Sequence, residues 1–316
     1  MIAGVEPFEV GRIERIHALR SLFGSGGPST AALAAMAAVA VAVRIRKGTV
    51  LAQEGEPATT LWVVVEGELL AMRAGKLLGS YGPRHVVGSL AALSRDPRGF
   101  RCTAAEDTIA LQLRADDMYE VFEDHFGMLQ TVMEALARGS IEIRRGIKPN
   151  AGYDGALAPD PESGTETLDL VERMLVLRKS LAMHTHIDEL AELARAAQEV
   201  HYLAETSLWQ EEDRATHLLV LVSGTVRALS KDGLQFKFGP GDLVGGLDMV
   251  AGAPRWYEAI SERDVIALSI DRETLLDLCE DQAELGFDFL HLLAEILLSL
   301  HERTATEPEL SASLGT

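Results

Sequence analysis

The sequence predicts an α+β fold with two β-rolls, each a double-layered, antiparallel, jelly-roll-like domain flanked by helices. The first observation behind this prediction is a domain-sized repeat, in which equivalent residues recur 157 positions apart. The clearest pairs are Gly67 and Gly224, Pro83 and Pro240, Gly88 and Gly245, and Arg98 and Arg255. The second observation is that short β-rich runs with frequent turns fill each copy, a pattern typical of small antiparallel rolls. Because self-similarity of fixed period marks a duplicated unit, we expect one fold to be present twice.

The repeat and the length of 316 residues together predict two domains. We assign residues 1–145 to the first domain, with its N-terminal helices, and residues 168–303 to the second, with its C-terminal helix. Residues 146–167 are rich in glycine, proline and acidic side chains, a composition that predicts an exposed linker. Residues 304–316 form a polar tail.

The first copy begins with a helical pattern. Residues 5–23 carry apolar side chains at spacings of three, which predicts a helix, and the glycine-rich segment 24–28 ends it. Ser29 or Thr30 can cap a second helix over residues 31–40. Helices therefore lead into the first roll.

The period then changes from helix to strand. Apolar residues alternate from Val41 onward, and the β-rich run 61–65 closes at Gly67. Residues 109–113 predict the last strand of the roll. A helical pattern over residues 117–145 follows, and the acidic pair Asp116-Asp117 supplies its start.

The second copy repeats this order. Helical patterns cover about 167–181 and 187–200, a Val-rich strand ends at Gly224, and the last helices cover 272–303. The triplet Ile13-Glu14-Arg15 of the first copy aligns with Val171-Glu172-Arg173 at a spacing of 158, a slip of one residue. Each unit is therefore predicted as helix, β-roll, helix.

Composition excludes several classes of partner. The formal net charge of −19 repels phosphate backbones, so we expect no nucleic-acid partner. The longest apolar run, 31–43, is shorter than the roughly 20 residues of a membrane span and does not resemble a signal peptide. Cys102 and Cys279 fall at non-equivalent positions in apolar settings, which predicts buried thiols rather than a disulfide. We expect a cytoplasmic protein without a membrane segment.

The most informative motif is a turn that both copies share. It reads Gly-Pro, then a glycine five residues later (Gly88 or Gly245), then Pro-Arg (Arg98 or Arg255). A glycine permits close approach of the backbone, a helix that starts there presents N–H groups, and an arginine ten residues later can return to the same point. Together these parts predict a pocket for one phosphate.

On these residues the chain resembles the cyclic nucleotide-binding domain family, twice and over nearly its whole length. The resemblance implies a β-roll that binds cAMP or cGMP as a ligand, without a cofactor, through a cassette of helix-start amides and an arginine. It also implies a glutamate that binds the ribose hydroxyl. The cassette positions implied by the resemblance are Gly88, Ser89, Leu90, Arg98 and Gly99 in the first copy and Gly245, Gly246, Leu247, Arg255 and Trp256 in the second.

Both copies lack the glutamate of that cassette, because Ser89 and Gly246 stand in its place. A hydrogen bond to a charged group contributes about 1.5–3 kcal/mol, so its loss weakens binding by roughly tenfold to a hundredfold. Around the arginines the copies differ. The first has Arg84 in place of the turn glycine and adds Arg101 near Arg98, and together they predict a cationic pocket.

In the second copy Trp256 and Tyr257 follow Arg255 directly. These rings either stack on a base or fill the cavity. Both arginines have a structural alternative, an ion pair at the surface or within the roll. No catalytic or metal-binding set is recognised: Asp116-Asp117 start a helix, and the pair His184 and His186 lacks further ligands.

The sequence thus favours a non-enzymatic sensor that binds a cyclic nucleotide or another phosphorylated anion in one or both rolls and signals through its C-terminal helices. The alternative is a ligand-free scaffold for dimerisation or protein interaction. The last helix, 285–300, is apolar on more than one stripe, so it should pack against the equivalent helix of the first copy, against a second chain in a homodimer, or against its own roll. Transcription factors of this family add a helix-turn-helix, which we do not find here.

Overall fold

The computed structural model describes residues 2–23, 27–146, 167–181 and 186–306. The chain divides into two compact units, residues 1–132 and 133–316. Several predicted features lie outside the described residues. They are most of the linker (147–166), Gly24 to Gly26 of the first helix stop, His184, and residues 307–316 of the tail. The predicted domain boundaries therefore stay a prediction.

The first copy is built from two layers of antiparallel strands with helices before and after them. Its elements are β1 (Val5–Pro7), α1 (Arg12–Arg20), α2 (Thr30–Val39), β2 (Val41–Ile45), β3 (Val50–Glu54), β4 (Thr60–Glu66), β5 (Leu69–Arg73), β6 (Lys76–Tyr81), β7 (Val86–Val87), α3 (Ser89–Leu93), β8 (Gly99–Ala104), β9 (Thr108–Arg114), α4 (Ala115–Asp124) and α5 (Phe126–Gly146). One sheet has the strand order β1-β2-β9-β4-β7 and the other β3-β8-β5-β6.

The second copy repeats the architecture. Its elements are α6 (Leu170–Ser180), α7 (Ile187–Ala196), β10 (Gln198–Tyr202), β11 (Ser207–Trp209), β12 (His217–Ser223), β13 (Val226–Leu229), β14 (Gln235–Phe238), β15 (Leu243–Val244), α8 (Gly246–Ala251), β16 (Glu258–Ser261), β17 (Val265–Asp271), α9 (Arg272–Asp281) and α10 (Ala283–Thr306). Its sheets run β10-β17-β12-β15 and β11-β16-β13-β14. The predicted α+β fold with two antiparallel rolls is confirmed.

The 157-residue spacing is a structural register as well as a sequence one. Strands β4 and β12, β9 and β17, and β7 and β15 begin 157 positions apart, and so do helices α4 and α9, and α5 and α10. The leading helices α1 and α6 begin 158 positions apart, in agreement with the slip of one residue in the sequence. The extra residue is therefore taken up before the rolls begin.

The Glu-Arg pair of each leading helix, Glu14-Arg15 in α1 and Glu172-Arg173 in α6, forms equivalent hydrogen bonds in the two copies. Arg15 donates to the carbonyl of Ala40 at 2.8 Å, and Arg173 donates to the carbonyl of Ala197 at 2.9 Å. Each carbonyl lies at the end of the following helix, where no intrahelical donor remains. The glutamate before each arginine accepts a backbone N–H at the start of its own helix. The pair therefore ties each leading helix to the entrance of its roll.

Three predicted helices need correction. In the helix predicted over 5–23, the first residues form β1, which pairs antiparallel with β2, and only Arg12–Arg20 are helical. The physical reason is that a long-range partner fixes an edge strand, and Pro7 lacks the N–H that a helix interior needs. Ser29 does cap α2, because its hydroxyl accepts from the Ala32 N–H at 3.2 Å.

The helices predicted over 187–200 and 117–145 are also interrupted. Helix α7 ends at Ala196, and the residues after it form β10, which pairs with β17. Helices α4 and α5 are separated at His125, whose φ of −136° and ψ of 70° are not helical. Because the apolar residues keep a helical spacing across both breaks, periodicity alone did not reveal them.

Each roll encloses its own apolar core. Trp62 is 1% exposed within the first core, and Leu219 and Leu221 of β12 are fully buried in the second. The two cysteines are free and buried, and burial raises the pKa of each thiol to about 12. No helix in the described part of the chain is long and apolar enough to cross a membrane.

The C-terminal part of α5 packs within the second compact unit. A Cβ on Gly139 would lie 3.5 Å from a methyl carbon of Leu297 in α10. Arg138 donates to the carbonyl of Ala251, at the end of α8, at 3.1–3.2 Å. The neighbouring Glu134 accepts from Arg272, which itself donates to Met249 of α8. Helix α5 is thus joined both to α10 and to the end of α8.

Candidate functional site

The two cassettes share one backbone geometry. Gly88 and Gly245 precede the short helices α3 and α8, with φ of 87° and 74°. Residues other than glycine rarely adopt this left-handed conformation. A Cβ at Gly88 would lie 3.0 Å from the carbonyl oxygen of Thr60, and one at Gly245 would collide with the guanidinium of Arg255. The predicted glycine turn and helix start are therefore present in both domains.

In the first domain, Arg98 lies at the surface with its side chain 56% exposed. Its guanidinium forms a two-point contact with Asp96, with Nε to Oδ1 at 2.8 Å and Nη2 to Oδ2 at 3.0 Å. The backbone N–H of Arg98 donates to the same carboxylate at 3.0 Å. Asp96 thus fixes both the loop and the arginine.

A second arginine, Arg73, contacts the same carboxylate. Arg73 of β5 donates to Asp96 at 2.8 Å and to the carbonyl of Gly99 at 2.8 Å. Burial alone would raise the pKa of Asp96, but its hydrogen bonds with Arg98 and the charge of Arg73 outweigh burial and lower that pKa. Asp96 therefore stays ionised and is shared between two cations.

The other cassette residues of the first domain lie around the same turn. Gly88, Ser89 and Leu90 are half-buried, so they are reachable from solvent. Gly99 is buried, and a Cβ there would collide with the carbonyl oxygen of Glu56. The Phe100 ring is buried in the roll core beside Gly88. The backbone N–H of Asp96 donates to the carbonyl of Ala91 in α3 at 3.1 Å, so the loop that carries Arg98 is joined to α3.

In the second domain, the equivalent Arg255 is 1% exposed. Its Nη1 donates to the carbonyl of Gly245 at 2.8 Å, and its Nη2 donates to the carbonyl of His217. Asp248 of α8 forms an ion pair with it at 3.4 Å, and the Trp209 ring lies 3.9 Å from the guanidinium carbon. This arginine is enclosed by its own domain.

The two aromatic residues after Arg255 are also buried. The Tyr257 hydroxyl accepts from the backbone N–H of Gly245 at 2.8 Å. The Trp256 ring stacks on Phe236 with centroids 5.3 Å apart and an interplanar angle of 21°. An amide that the resemblance assigns to a phosphate is thus already bonded within the protein.

The electrostatics of the second cassette follow from burial. Burial raises the pKa of Asp248 and outweighs the opposing charge of Arg255. Burial, and after it the charge of Arg255, lower the pKa of His217. Burial also raises the pKa of Tyr257, so its phenol stays protonated at neutral pH. A second negative charge would enter this environment at high cost.

Sequence reasoning missed the two carboxylates that face the arginines. Asp96 stands two positions before Arg98, and Asp248 stands seven positions before Arg255. Each is replaced by alanine in the other copy, at Ala253 and Ala91 respectively. This exchange could have been found by comparing the copies at acidic positions as well as at glycines and arginines.

The described residues contain no group of three or more His, Cys, Asp or Glu side chains that could hold a metal ion. The model of the family described as the cyclic nucleotide-binding domain matches residues 42–125 and 199–282, more than half of the chain. These two segments are the two rolls with the helices α4 and α9 that follow them.

A curated relative, the cGMP-dependent protein kinase egl-4 of Caenorhabditis elegans, is 25% identical over 219 residues. The match covers 65% of this chain and 27% of the relative, so the chain spans about a quarter of that protein. A solved structure of the regulatory subunit of a cAMP-independent protein kinase A from Trypanosoma brucei is 15% identical, with 97% of this chain and 96% of that chain covered and a TM-score of 0.35.

A second solved structure is the N-terminal domain of a transcriptional regulator from Streptomyces coelicolor A3(2). It is 25% identical and covers 39% of this chain and 93% of its own, with a TM-score of 0.35.

Proposed function

Because the chain belongs to the cyclic nucleotide-binding domain family, with two of its domains in tandem, we propose that it is a non-enzymatic regulatory protein whose first domain binds cAMP, cGMP or another phosphorylated anion. In this proposal the ligand contacts the start of α3, at Gly88, Ser89 and Leu90, and the loop of Arg98 and Gly99. The observation that carries this proposal is that the Arg98 side chain is 56% exposed, in a loop that is hydrogen-bonded to α3 through Asp96.

Asp96 supports this role because it orients Arg98 without enclosing it. Asp96 contacts Nε and Nη2 of Arg98, and the Arg98 side chain as a whole is 56% exposed. Arginine forms its strongest contacts with phosphate through such a planar, pre-oriented group.

The second domain contributes differently in this proposal. Its arginine is enclosed by Asp248 and backbone carbonyls, and its cassette amide is bonded to Tyr257. A phosphate would have to replace these contacts, so the first domain is the preferred phosphate site. Ligand binding then shifts the helices that follow the rolls, and these act on a second copy or another protein in the cytoplasm.

A second candidate function is a ligand-free scaffold that uses the rolls and helices for protein interaction. The observation that favours it is that an internal carboxylate faces the arginine in each cassette, Asp96 in the first and Asp248 in the second. In this reading both carboxylates replace the phosphate permanently.

Calorimetric titration of the full chain with cAMP, cGMP and cyclic dinucleotides separates the two candidates. We expect binding that weakens by roughly tenfold to a hundredfold in Arg98→Ala, because a hydrogen-bonded charge is lost. The matched control is Arg114→Ala: Arg114 is 64% exposed and pairs with Asp116 two positions away, as Arg98 pairs with Asp96. The control should bind as the unmodified protein does. Silence with every ligand at millimolar concentration supports the scaffold.

A further inference from the structure

The outer face of the sheet β3-β8-β5-β6 in the first domain carries exposed apolar side chains. Leu77 and Leu78 of β6 are 60% and 43% exposed. Met72 of β5 pairs in register with Leu77 on one side and with Arg101 of β8 on the other. Because directly paired residues of neighbouring strands project to the same face, Arg101, Met72 and Leu77 form one row across the sheet. Met72 is half-buried and Arg101 is exposed, so this row lies on the solvent side.

A β-bulge explains why two consecutive leucines are exposed. Ala71 pairs with Gly79 and Met72 pairs with Leu77, so Leu78 between them has no partner in β5. Such a bulge changes the direction in which the side chains of its strand project. Strand β6 is also the last in the strand order of its sheet, and no further strand of the described residues pairs with it. Both leucines therefore lie at an accessible edge of the sheet.

The hairpin of β5 and β6 belongs to a basic part of the chain. Residues 69–104 contain six lysine and arginine residues and one acidic residue, a net charge of +5 in a chain whose net charge is −19. Lys76 of β6 and Arg101 of β8 are exposed. Two acids from outside this segment, Glu54 and Glu68, accept hydrogen bonds from the hairpin, and counting both still leaves +3. The surface thus combines exposed leucines with an excess of positive charge.

The second copy shows that the roll does not require this surface. The residue equivalent to Leu77 is Leu234, which is 8% exposed, and the residue equivalent to Arg101 is Glu258. The equivalent segment, residues 226–261, contains four basic and four acidic residues and has no net charge. Because both segments form the same strands, the exposed leucines and the positive charge are properties of the first copy and not of the fold.

We propose that the surface formed by Met72, Lys76, Leu77, Leu78 and Arg101 binds an acidic segment of another protein that carries aliphatic side chains. Clustered apolar residues at the surface mark interaction sites, and the positive charge selects a negative partner. A second copy fits less well, because a symmetric contact would place this basic surface against itself. An anionic membrane would also repel the rest of this acidic chain. The surface includes none of the cassette residues, so it does not depend on the phosphate site.

The test is fluorescence anisotropy of a labelled probe peptide, Glu-Leu-Leu-Glu-Asp-Leu-Leu-Glu, titrated with the full chain. We expect binding that weakens with added salt, since salt screens the attraction between exposed charges. Leu77→Ser combined with Leu78→Ser should weaken binding at least about tenfold, because apolar area is no longer buried. Arg101→Glu should weaken it by roughly threefold to tenfold. Peptides with serine in place of leucine, or lysine in place of the acids, should bind at least about tenfold more weakly.

Leu203→Ser and Arg263→Glu are matched controls, because both residues are exposed in the second domain. Both should bind the peptide as the unmodified protein does. The proposal is overturned if the peptide does not bind or if the double leucine variant binds it normally.

Two further outcomes would assign the surface to another occupant and overturn the proposal. One is binding of phosphatidylserine vesicles, instead of the peptide, that requires Leu77 and Leu78. The other is self-association of the chain that requires the same leucines and excludes the peptide. Because the double leucine variant keeps every cassette residue, its titration with cAMP or cGMP should match that of the unmodified protein, so failure of the phosphate site is seen separately.

Discussion

The two cassettes share one backbone geometry but differ in the exposure of their arginine. Gly88 and Gly245 adopt the same left-handed conformation before the same short helix, and each arginine follows ten positions later. Yet the Arg98 side chain is 56% exposed, whereas that of Arg255 is 1% exposed. Backbone geometry alone therefore does not decide whether the arginine is available to a ligand.

The difference in exposure between the two arginines is explained by the position of the carboxylate that pairs with each of them. Asp96 belongs to the loop that carries Arg98, so it holds the guanidinium at the edge of the roll. Asp248 belongs to helix α8 and pairs with the guanidinium of Arg255, whose carbon lies 3.9 Å from the centre of the Trp209 ring. A carboxylate in the loop thus accompanies an exposed arginine, and a carboxylate on the short helix accompanies a buried one.

The largest effect is expected when each arginine is replaced by alanine. We expect Arg255→Ala to lower the free energy of unfolding of the second domain by about 3–5 kcal/mol, because the buried Asp248 loses its partner. Arg98→Ala should cost at most about 1 kcal/mol, since the Arg98 side chain is 56% exposed and the buried Asp96 keeps its ion pair with Arg73. Urea unfolding followed by tryptophan fluorescence measures both.

Tryptophans report on the two domains separately: Trp62 lies in the first roll, and Trp209 and Trp256 lie in the second. Replacing Trp62 by phenylalanine in Arg255→Ala and in its reference isolates the second-domain signal, whereas Trp62 is kept in Arg98→Ala because it reports on the first domain. Equal losses of stability for the two alanine variants would contradict the assignment of Arg255 as structural and Arg98 as ligand-facing.

A second, smaller effect concerns pH. The pKa of Asp96 is lowered, so its stabilising contribution is complete above about pH 4 and is lost as the pH falls through the lowered value. The pKa of Asp248 is raised, so the folded state holds its proton more tightly than the unfolded chain does. Its contribution therefore improves as the pH falls from that raised value toward about 4.

The measurement compares unfolding free energies of wild type, Asp96→Asn and Asp248→Asn from pH 7 downward. The stability advantage of wild type over Asp96→Asn should shrink with falling pH. The difference between wild type and Asp248→Asn should change in the opposite direction, in favour of wild type. The same sign for both variants would refute the distinct environments of the two carboxylates.

The fold could be predicted from the sequence because the chain contains two copies of one unit. A pattern that occurs at equivalent positions in both copies is stronger evidence for an element than the same pattern seen once. The spacing of Gly67 and Gly224 located the ends of two strands, which local propensity alone leaves ambiguous, and both glycines have φ above 80°. The repeat also argued against the helix predicted over 187–200, since Val200 aligns with Val43, which belongs to a predicted strand. Strand β10 confirms the alignment and not the periodicity.

The exposure and contacts of the cassette side chains were less predictable than the fold, for a physical reason. The arginines and glycines stand at fixed spacings, but the carboxylates that face them stand at different positions in the two copies. Whether Trp256 meets a ligand or another side chain also depends on Phe236 from a neighbouring strand, a contact that sequence spacing does not reveal. Burial of Arg255 is a property of packing, and packing is set by long-range contacts.

The smallest effect is expected at the turn before each cassette, where Arg84 corresponds to Gly241. Both residues have positive φ, 71° and 92°, and both donate their backbone N–H to the strand across the turn. Because a side chain is strained in this conformation, Gly241→Arg should lower the stability of the second domain by about 1 kcal/mol. Arg84→Gly should raise that of the first by less than about 1 kcal/mol, since greater freedom of the unfolded chain offsets part of the relief. Urea unfolding measures both, and Gly82→Ala, where φ is not positive, is the control with a change within about 0.5 kcal/mol. If Arg84→Gly also left anion binding unchanged, Arg84 would be a tolerated departure and Arg98 would remain the cation that distinguishes the first cassette.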